Sequence, residues 1–120
     1  MRSKNRRVFF KDFTFLVTDN VYEPSEDSFL FAENLPVERS RRVVDVGTGC
    51  GILGIVAARY AERVVAIDVN PCAVRCARRN AEINNATSKM DFVQGDLLGA
   101  VREAPKFDLI LFNAPYLPVS

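Results

Sequence analysis

The fold is decided by residues 42–70, RVVDVGTGCGILGIVAARYAERVVAIDVN, in which two apolar runs flank a glycine loop and an apolar helix. Arg42–Val46 and Arg63–Ile67 are rich in valine and isoleucine, as is typical of buried strands. Between them, Gly47–Gly51 forms the loop, and Ile52–Tyr60 has the composition of a helix. A strand, loop, helix and strand in this order predict a right-handed crossover and parallel strands.

The alternation of helices and strands continues toward the C-terminus. Asn70 is placed to cap a helix that begins at Pro71 and ends near Asn84. The apolar face of that helix is predicted to carry Val74, Ala77 and Ala81. Two further strands are predicted at Met90–Val93 and Phe107–Phe112. We therefore predict an α/β protein with a Rossmann-like, doubly wound, mainly parallel sheet.

The N-terminal segment precedes this regular pattern. Val8–Thr18 alternates aromatic and branched residues, which predicts one strand or a short hairpin. Glu23–Asp27 contains a proline and acids that suit the first turn of a helix, which would run through Phe29, Leu30 and Phe31 to Leu35 and end before Pro36. Residues 1–20 are thus predicted to form an arm with a strand or hairpin, and residues 21–120 a single domain.

Composition narrows the class of function. The 120 residues carry a net charge of +1 and no histidine, which excludes Ser–His and Cys–His nucleophilic pairs and histidine metal ligands. Cys50, Cys72 and Cys76 are too few for a zinc site and odd in number for a disulfide framework, so we expect no metal and buried thiols in a reducing cytosol. The longest uncharged run is too short to span a bilayer, which predicts a soluble, cytoplasmic protein without a membrane partner.

Polar residues follow all four strands of the predicted parallel sheet, at the carboxyl edge where such sheets bind ligands. In strand order they are Asp45 with the loop glycines Gly47, Gly49 and Gly51; then Asp68; then Gly95 with Asp96; and then Asn113, Ala114, Pro115 and Tyr116. An acid about 20 residues past a glycine loop is placed to accept ribose hydroxyls. Each feature alone has a structural explanation, such as a helix cap for Asp68 or a turn for Asp96. Together, at successive strand ends, they indicate a nucleoside-type ligand.

These motifs resemble those of the class I amino-methyltransferases: Asp-x-Gly-x-Gly-x-Gly, an acid closing the second strand, Gly-Asp, and Asn-x-Pro-Tyr. The segment Val21–Leu30, VYEPSEDSFL, is similar to the one before the core in the HemK-like branch. That branch comprises the archaeal and eukaryotic methyltransferases that modify a glutamine in peptide-chain release factors. The resemblance covers Val21–Pro118 and implies S-adenosyl-L-methionine as the cofactor and a release factor as the protein substrate.

The resemblance also implies roles for individual residues. The implied cofactor site comprises Ser28, Asp45, Gly47, Gly49, Gly51, Asp68, Asp96, Leu97 and Asn113. The implied catalytic residues are Asn113, Ala114, Pro115 and Tyr116. The family has proline where this chain has Ala114, but the backbone carbonyl used at that position is kept, and Pro115 still favours an extended conformation there.

A second departure concerns the sheet, because the family's sheet continues after this motif and this sequence stops at Ser120. The last strand is therefore expected to be an exposed apolar edge, covered by an activating partner, by self-association or by more of a longer protein.

Three other functions stay open. Gly49-x-Gly51-x-x-Gly54 matches the dinucleotide fingerprint of an NAD-dependent oxidoreductase. A nucleic-acid methyltransferase acting on an adenine amino group would use the same fourth motif, although the near-zero net charge weighs against it. A non-catalytic module that binds the cofactor or a partner is the third alternative.

Overall fold

The computed structural model describes residues 5–36 and 42–112, so the predicted catalytic residues Asn113–Tyr116 lie outside the described part of the chain. The strands are β1 (Arg6–Phe10), β2 (Phe13–Val17), β3 (Arg42–Val46), β4 (Arg63–Asp68), β5 (Met90–Gln94) and β6 (Leu109–Phe112). The helices are α1 (Glu26–Glu33), α2 (Ile52–Ala58), α3 (Pro71–Ile83) and α4 (Leu97–Glu103). Short 3₁₀ turns occupy Thr87–Lys89 and Ala104–Lys106.

Four strands form a parallel sheet in the order β5-β4-β3-β6. The chain moves outward from β3 through β4 to β5 and then crosses back to place β6 on the other side of β3. The direction of winding therefore reverses between β3 and β6, and open α/β sheets bind ligands at such a reversal. The predicted Rossmann-like, doubly wound parallel sheet is confirmed.

Alternate strand residues face two separate hydrophobic cores. Val43 and Val64 pack on the side of α2 and α3, whereas Val44 and Ile67 pack on the opposite side with Ala100 of α4. Because side chains alternate along a strand, both faces of the sheet are covered, as a parallel sheet requires. The same alternation places Asp45 on the side of α2.

The N-terminal segment forms a hairpin, the second of the two predicted alternatives. The chain reverses near Lys11, which has a φ of 52°, and β1 and β2 pair antiparallel. Phe13, Phe15 and Val17 of β2 are buried in the same core as α2 and α3.

Helix α1 begins at Glu26 because Ser25 caps it. The Ser25 hydroxyl accepts from the backbone N–H of Ser28, and the Ser28 hydroxyl accepts from that of Ser25. This reciprocal capping box fixes the first turn. The helix ends at Glu33, before the predicted Leu35.

Helix α3 has the predicted cap, since Oδ1 of Asn70 accepts from the Cys72 N–H at 2.9 Å. Its buried stripe consists of Ala73, Cys76, Ala77, Asn80 and Ala81. Val74, predicted on that face, is only half-buried, because the stripe passes through Ala73 instead. Helix α4 was not predicted. It has only seven residues, too few to show a clear helical pattern, and one of them is Gly99.

Strand β6 lies at the edge of the sheet and, within the described ranges, pairs only with β3. Ile110 and Phe112 are 46% and 49% exposed, while Leu111 is buried. The expected exposed apolar edge is therefore present in the described part of the chain. No helix in that part is long and apolar enough to cross a bilayer.

Candidate functional site

A cleft of about 610 Å³ opens at the carboxyl ends of β3 and β4. It is lined by the segment of residues 21–28, called here the N-terminal wall, and by residues 47–50 of the glycine loop. The other lining residues are Val46, Ile52, Asp68, Val69, Asn70, Ala73, Gly95 and Phe112. Four of the predicted cofactor residues line this cleft: Ser28, Gly47, Gly49 and Asp68.

Two loop glycines serve different purposes. Gly49, with a φ of 56°, borders the cleft, and a Cβ built on it would meet no atom within 4 Å. Gly51 has a φ of 93°, and its Cβ would lie 2.9 Å from Cδ1 of Ile55 and 3.2 Å from Cα of Ala77. Gly51 therefore allows α2 to approach α3, whereas Gly49 keeps the loop backbone accessible from the cleft.

The Asp68 carboxylate ties the glycine loop to the end of β4. Oδ2 accepts from the Gly49 N–H at 3.0 Å, and Oδ1 accepts from the Asn70 N–H at 3.0 Å. Asn70 itself caps α3, so the capping explanation of Asp68 does not hold. A carboxylate has about four lone-pair positions, so Asp68 can accept further hydrogen bonds from a ligand in the cleft.

Asp45 is a buried charge beneath the glycine loop. It is 1% exposed, and its Oδ2 accepts from Oγ1 of Thr48 at 2.7 Å and from the Gly54 N–H at 3.0 Å. Among the described residues, Oδ1 has no partner. Burial raises the pKa of Asp45, the two hydrogen bonds oppose the rise, and the nearby charge of Asp68 adds a smaller increase, so that the pKa is about 6.

Asn113 lies outside the described residues, and the other predicted cofactor residues are not among those that line the cleft. Asp45 is buried beneath the loop, Gly51 ends the loop at the start of α2, and Asp96 follows Gly95, which does line the cleft. Asp96 is exposed, and its Oδ1 accepts from the Gly99 N–H at 2.9 Å in the first turn of α4, which begins at Leu97. The cofactor roles of Asp96 and Leu97 stay predictions.

Sequence reasoning missed several residues of the cleft. Tyr22 and Val69 line it and are 75% and 63% exposed, so they present apolar surface to a ligand. Two features of the sequence could have identified them: Tyr22 belongs to the segment that carries the family resemblance, and Val69 directly follows Asp68. Thr48 also lines the cleft and donates to Asp45.

The cysteines supply no nucleophile to the cleft. Cys50 and Cys76 are buried and Cys72 is half-buried, and all three are free. Burial raises the pKa of Cys50 to about 12, which leaves almost no thiolate at neutral pH. Within the described ranges, no group of three or more acidic, cysteine or histidine side chains could hold a metal ion.

This arrangement suits an elongated ligand with a nucleoside part and a positive charge. Asp68 offers acceptors for hydroxyls, Val69 and Tyr22 offer apolar surface, and Gly49 leaves its backbone open to the cleft. Asp45 holds a negative charge behind the loop, without a cation beside it among the residues described. The fold and the cleft together define a nucleoside-binding domain of the doubly wound α/β class.

Comparison with known proteins specifies this class further. The model of the methyltransferase small domain family matches residues 15–118. A putative protein N5-glutamine methyltransferase of Methanocaldococcus jannaschii is 44% identical over 101 residues, covering 83% of this chain and 49% of that protein. A release factor glutamine methyltransferase of Chlorobaculum tepidum is 33% identical over 125 residues, covering 92% of this chain and 42% of that protein.

A solved structure shows the same fold. The 16S rRNA methyltransferase of T. thermophilus, in complex with AdoMet and guanosine, superimposes with a TM-score of 0.74 and 26% identity, covering 99% of this chain and 34% of that one. The chain belongs to the methyltransferase small domain family. S-adenosylmethionine, predicted from the sequence, is the methyl donor of this class. The chain spans about half the length of the M. jannaschii relative.

Proposed function

We propose that this chain binds S-adenosylmethionine in the cleft and takes part in methyl transfer to the side-chain amide nitrogen of a glutamine in a peptide-chain release factor. The observation that carries the proposal is the composition of the cleft. The N-terminal wall, whose sequence is similar to the HemK-like branch, lies with the glycine loop and Asp68 around one cavity.

The described residues fit this cofactor in charge and shape. Asp68 has acceptor positions left for ribose hydroxyls, and the open side of Gly49 leaves room for a ligand beside the loop. The cofactor carries a sulfonium and an amine, and the buried carboxylate of Asp45 complements this positive charge. When bound, S-adenosylmethionine supplies an activated methyl group.

The residues after β6 would orient the methyl acceptor. Asn113 follows Phe112, whose side chain borders the cleft. An amide nitrogen has a delocalised lone pair, so it needs acceptors that hold its two hydrogens and aim the lone pair at the methyl carbon. The Asn113 side-chain oxygen and the Ala114 carbonyl oxygen would accept these hydrogens, while the Tyr116 ring would flank the planar group.

The transfer is an in-line displacement that requires no strong base. The nitrogen–carbon bond forms as the sulfur–carbon bond breaks, S-adenosylhomocysteine is the leaving group, and the nitrogen loses a proton to solvent. Positioning of this kind can supply about 7–11 kcal/mol of the barrier reduction. The absence of histidine from the sequence is compatible with this chemistry.

Two observations support glutamine over a nucleic acid as the acceptor. The two relatives described above carry glutamine methyltransferase in their names. The net charge of +1 provides no general attraction for a polyanion. The T. thermophilus structure belongs to an rRNA methyltransferase, so a nucleic acid stays the alternative acceptor to be tested.

The decisive experiment follows a labelled methyl group. The purified protein is first titrated with S-adenosylmethionine and with NAD by calorimetry. It is then incubated with labelled S-adenosylmethionine and either a release-factor peptide, the same peptide with its target glutamine replaced by alanine, or an adenine oligonucleotide. We expect the protein to bind S-adenosylmethionine but not NAD. We expect the labelled methyl group to appear in the peptide that has the target glutamine and in neither of the other two acceptors.

The other outcomes identify the alternatives. Binding of NAD instead would indicate an oxidoreductase, and label in the oligonucleotide would indicate a nucleic-acid methyltransferase. Binding without transfer to either acceptor would favour a non-catalytic module.

The exposed edge of β6 supports a proposal about assembly. A second copy or an activating partner would add a strand beside Ile110 and Phe112 and so cover their apolar surface. Sedimentation of the protein under assay conditions tests self-association through a doubled mass. A reducing cytoplasm is the proposed location, supported by the three free cysteines of the described residues.

A further inference from the structure

Asn80 of α3 and Asn84, which caps the C-terminus of that helix, pair with the outer edge of β2 as a neighbouring strand would. Oδ1 of Asn84 accepts from the Thr14 N–H at 3.0 Å, and its Nδ2 donates to the Thr14 carbonyl at 2.8 Å. Asn80 does the same with Leu16, at 2.7 Å and 2.9 Å. The spacings match, because four helical residues rise about 6 Å and two strand residues about 6.8 Å.

Asn80 makes two contacts that Asn84 does not make, of which one is a 3.6 Å contact of its Nδ2 with Sγ of Cys76 within α3. Its Nδ2 also donates to the carbonyl oxygen of Cys50, in the glycine loop, at 2.8 Å. Asn80 is 0% exposed, so these bonds are shielded from bulk water, and removing the amide would leave buried backbone groups without their partner. One planar side chain therefore connects β2 directly to the glycine loop.

These two connected parts both lead to the lining of the cleft. Strand β2 continues through residues 18–20 into the N-terminal wall, and this connection is held by the Val21 N–H, which donates to the Thr18 carbonyl at 3.1 Å. Asn70 adds a tether near the cleft, since its Nδ2 donates to the Asn20 carbonyl at 2.8 Å. The glycine loop lines the same cleft directly.

We infer that Asn80 is a positioning residue that sets the separation between the N-terminal wall and the glycine loop. It does not border the cleft and acts through the Cys50 carbonyl and the backbone of Leu16. Ligand binding in the cleft and docking of the hairpin on α3 are consequently coupled. The identity of the ligand rests on the proposed function. The coupling between the N-terminal wall and the glycine loop rests on the hydrogen bonds alone.

The test compares Asn80→Ala with Asn84→Ala, a control that removes an equivalent pair of bonds to β2 and a bond to the Asn80 carbonyl, but no bond to the glycine loop. Amide hydrogen exchange is first measured without ligand. Both variants should exchange faster in β2, and only Asn80→Ala should exchange faster at Gly47, Thr48 and Gly51. Affinity for S-adenosylhomocysteine, measured by calorimetry, should fall about tenfold in Asn80→Ala and less than about twofold in Asn84→Ala.

Equal effects of the two variants on the glycine loop, or no effect of Asn80→Ala there, would overturn the inference. If the wild-type protein does not bind S-adenosylhomocysteine, the proposed function fails, and the ligand-free exchange comparison still decides the role of Asn80. If circular dichroism shows that Asn80→Ala is unfolded, the role of Asn80 is tested by amide exchange in the wild-type protein instead. Saturating S-adenosylhomocysteine should then slow exchange at the Leu16 amide more than at the Thr14 amide, and equal or absent slowing would contradict the coupling.

Discussion

The hydroxyl of Thr48 donates a 2.7 Å hydrogen bond to Oδ2 of Asp45, while the second oxygen of the same carboxylate has no partner among the described residues. The N–H of Gly54 donates to that same Oδ2 at 3.0 Å. Two bonds to one oxygen do not compensate for removing the whole carboxylate from water, and burial therefore raises the pKa of Asp45 to about 6. The protein thus keeps a charge behind the glycine loop that reduces its own stability.

Asp45→Asn should stabilise the ligand-free protein at pH 7. The pKa of Asp45 is raised from 3.8 to about 6 on folding, so the folded state binds more protons than the unfolded state between these values. The contribution of Asp45 to the free energy of unfolding is therefore greatest below pH 3.8 and is lost as the pH rises through about 6. The whole change amounts to about 3 kcal/mol. Urea unfolding from pH 4 to pH 7 should show this decline in the wild type and not in Asp45→Asn.

The same variant should bind S-adenosylmethionine more weakly. An amide keeps an acceptor for Thr48 and Gly54 but lacks the negative charge that complements the cofactor. Wild-type affinity should also fall below pH 6, because a protonated Asp45 must ionise before it can attract the cation. Asp91→Asn, which removes an equal charge from an exposed ion pair with Arg63, provides the control. Unchanged affinity in Asp45→Asn would restrict Asp45 to supporting the loop.

Asp68→Ala should weaken binding of S-adenosylmethionine by about 1.5–3 kcal/mol, the range for charge-assisted hydrogen bonds. The variant loses the acceptors for ligand hydroxyls and also the bond from the Gly49 N–H that holds the loop. Calorimetry measures the affinity, with Asp91→Ala as the charge control. Exchange at the Gly49 amide separates the two effects, and an affinity equal to wild type would leave Asp68 a purely structural residue.

Alkylation of the native protein should modify Cys72 before Cys50. Burial raises the pKa of Cys50 to about 12, and thiolates rather than thiols react with iodoacetamide. Burial also raises the pKa of Cys76, whose Sγ donates to the Leu16 carbonyl, whereas Cys72 is half-buried on α3. Mass spectrometry of timed samples gives the order. Early modification of Cys50 would show a reactive thiol in the cleft and would put the in-line mechanism in question.

Asn113→Ala should mainly lower the rate of methyl transfer. If its side-chain oxygen holds one amino hydrogen of the acceptor, its loss should reduce transition-state stabilisation by about 2.7–4 kcal/mol, roughly a hundred- to thousandfold. Cofactor affinity should change much less, because Asp68 and the glycine loop remain. Single-turnover rates with the release-factor peptide provide the measurement, and Asn34→Ala, at an exposed amide that ends α1, provides the control. A mutant as fast as wild type would remove Asn113 from the proposed mechanism.

The parallel sheet and the edge at which the cleft lies could be predicted from the sequence alone. Valine and isoleucine runs at Arg42–Val46 and Arg63–Ile67, separated by a glycine loop and a helix, allow few arrangements other than adjacent parallel strands. Because the strand ends of such a sheet meet at one edge, the sequence predicted that Gly49 and Asp68 lie close together. In the structure the Gly49 N–H donates to Oδ2 of Asp68 at 3.0 Å. These features depend on local composition and on chirality, which a single sequence carries.

Which polar groups are buried, and what they contact, depends on the packing of the elements and became visible only in the folded chain. Asp45 and Asn80 occur in the sequence as an acid after valines and an amide within an apolar helical stripe, and neither pattern indicates a partner. Packing of α2 over β3 removes Asp45 from water, and packing of α3 between β2 and the glycine loop places Asn80 on the Leu16 and Cys50 backbones. The raised pKa of Asp45 and the link that Asn80 makes between β2 and the glycine loop both arise from contacts between residues that are distant in the chain. Neither can be predicted from neighbouring residues, because burial depends on how the helices and strands pack.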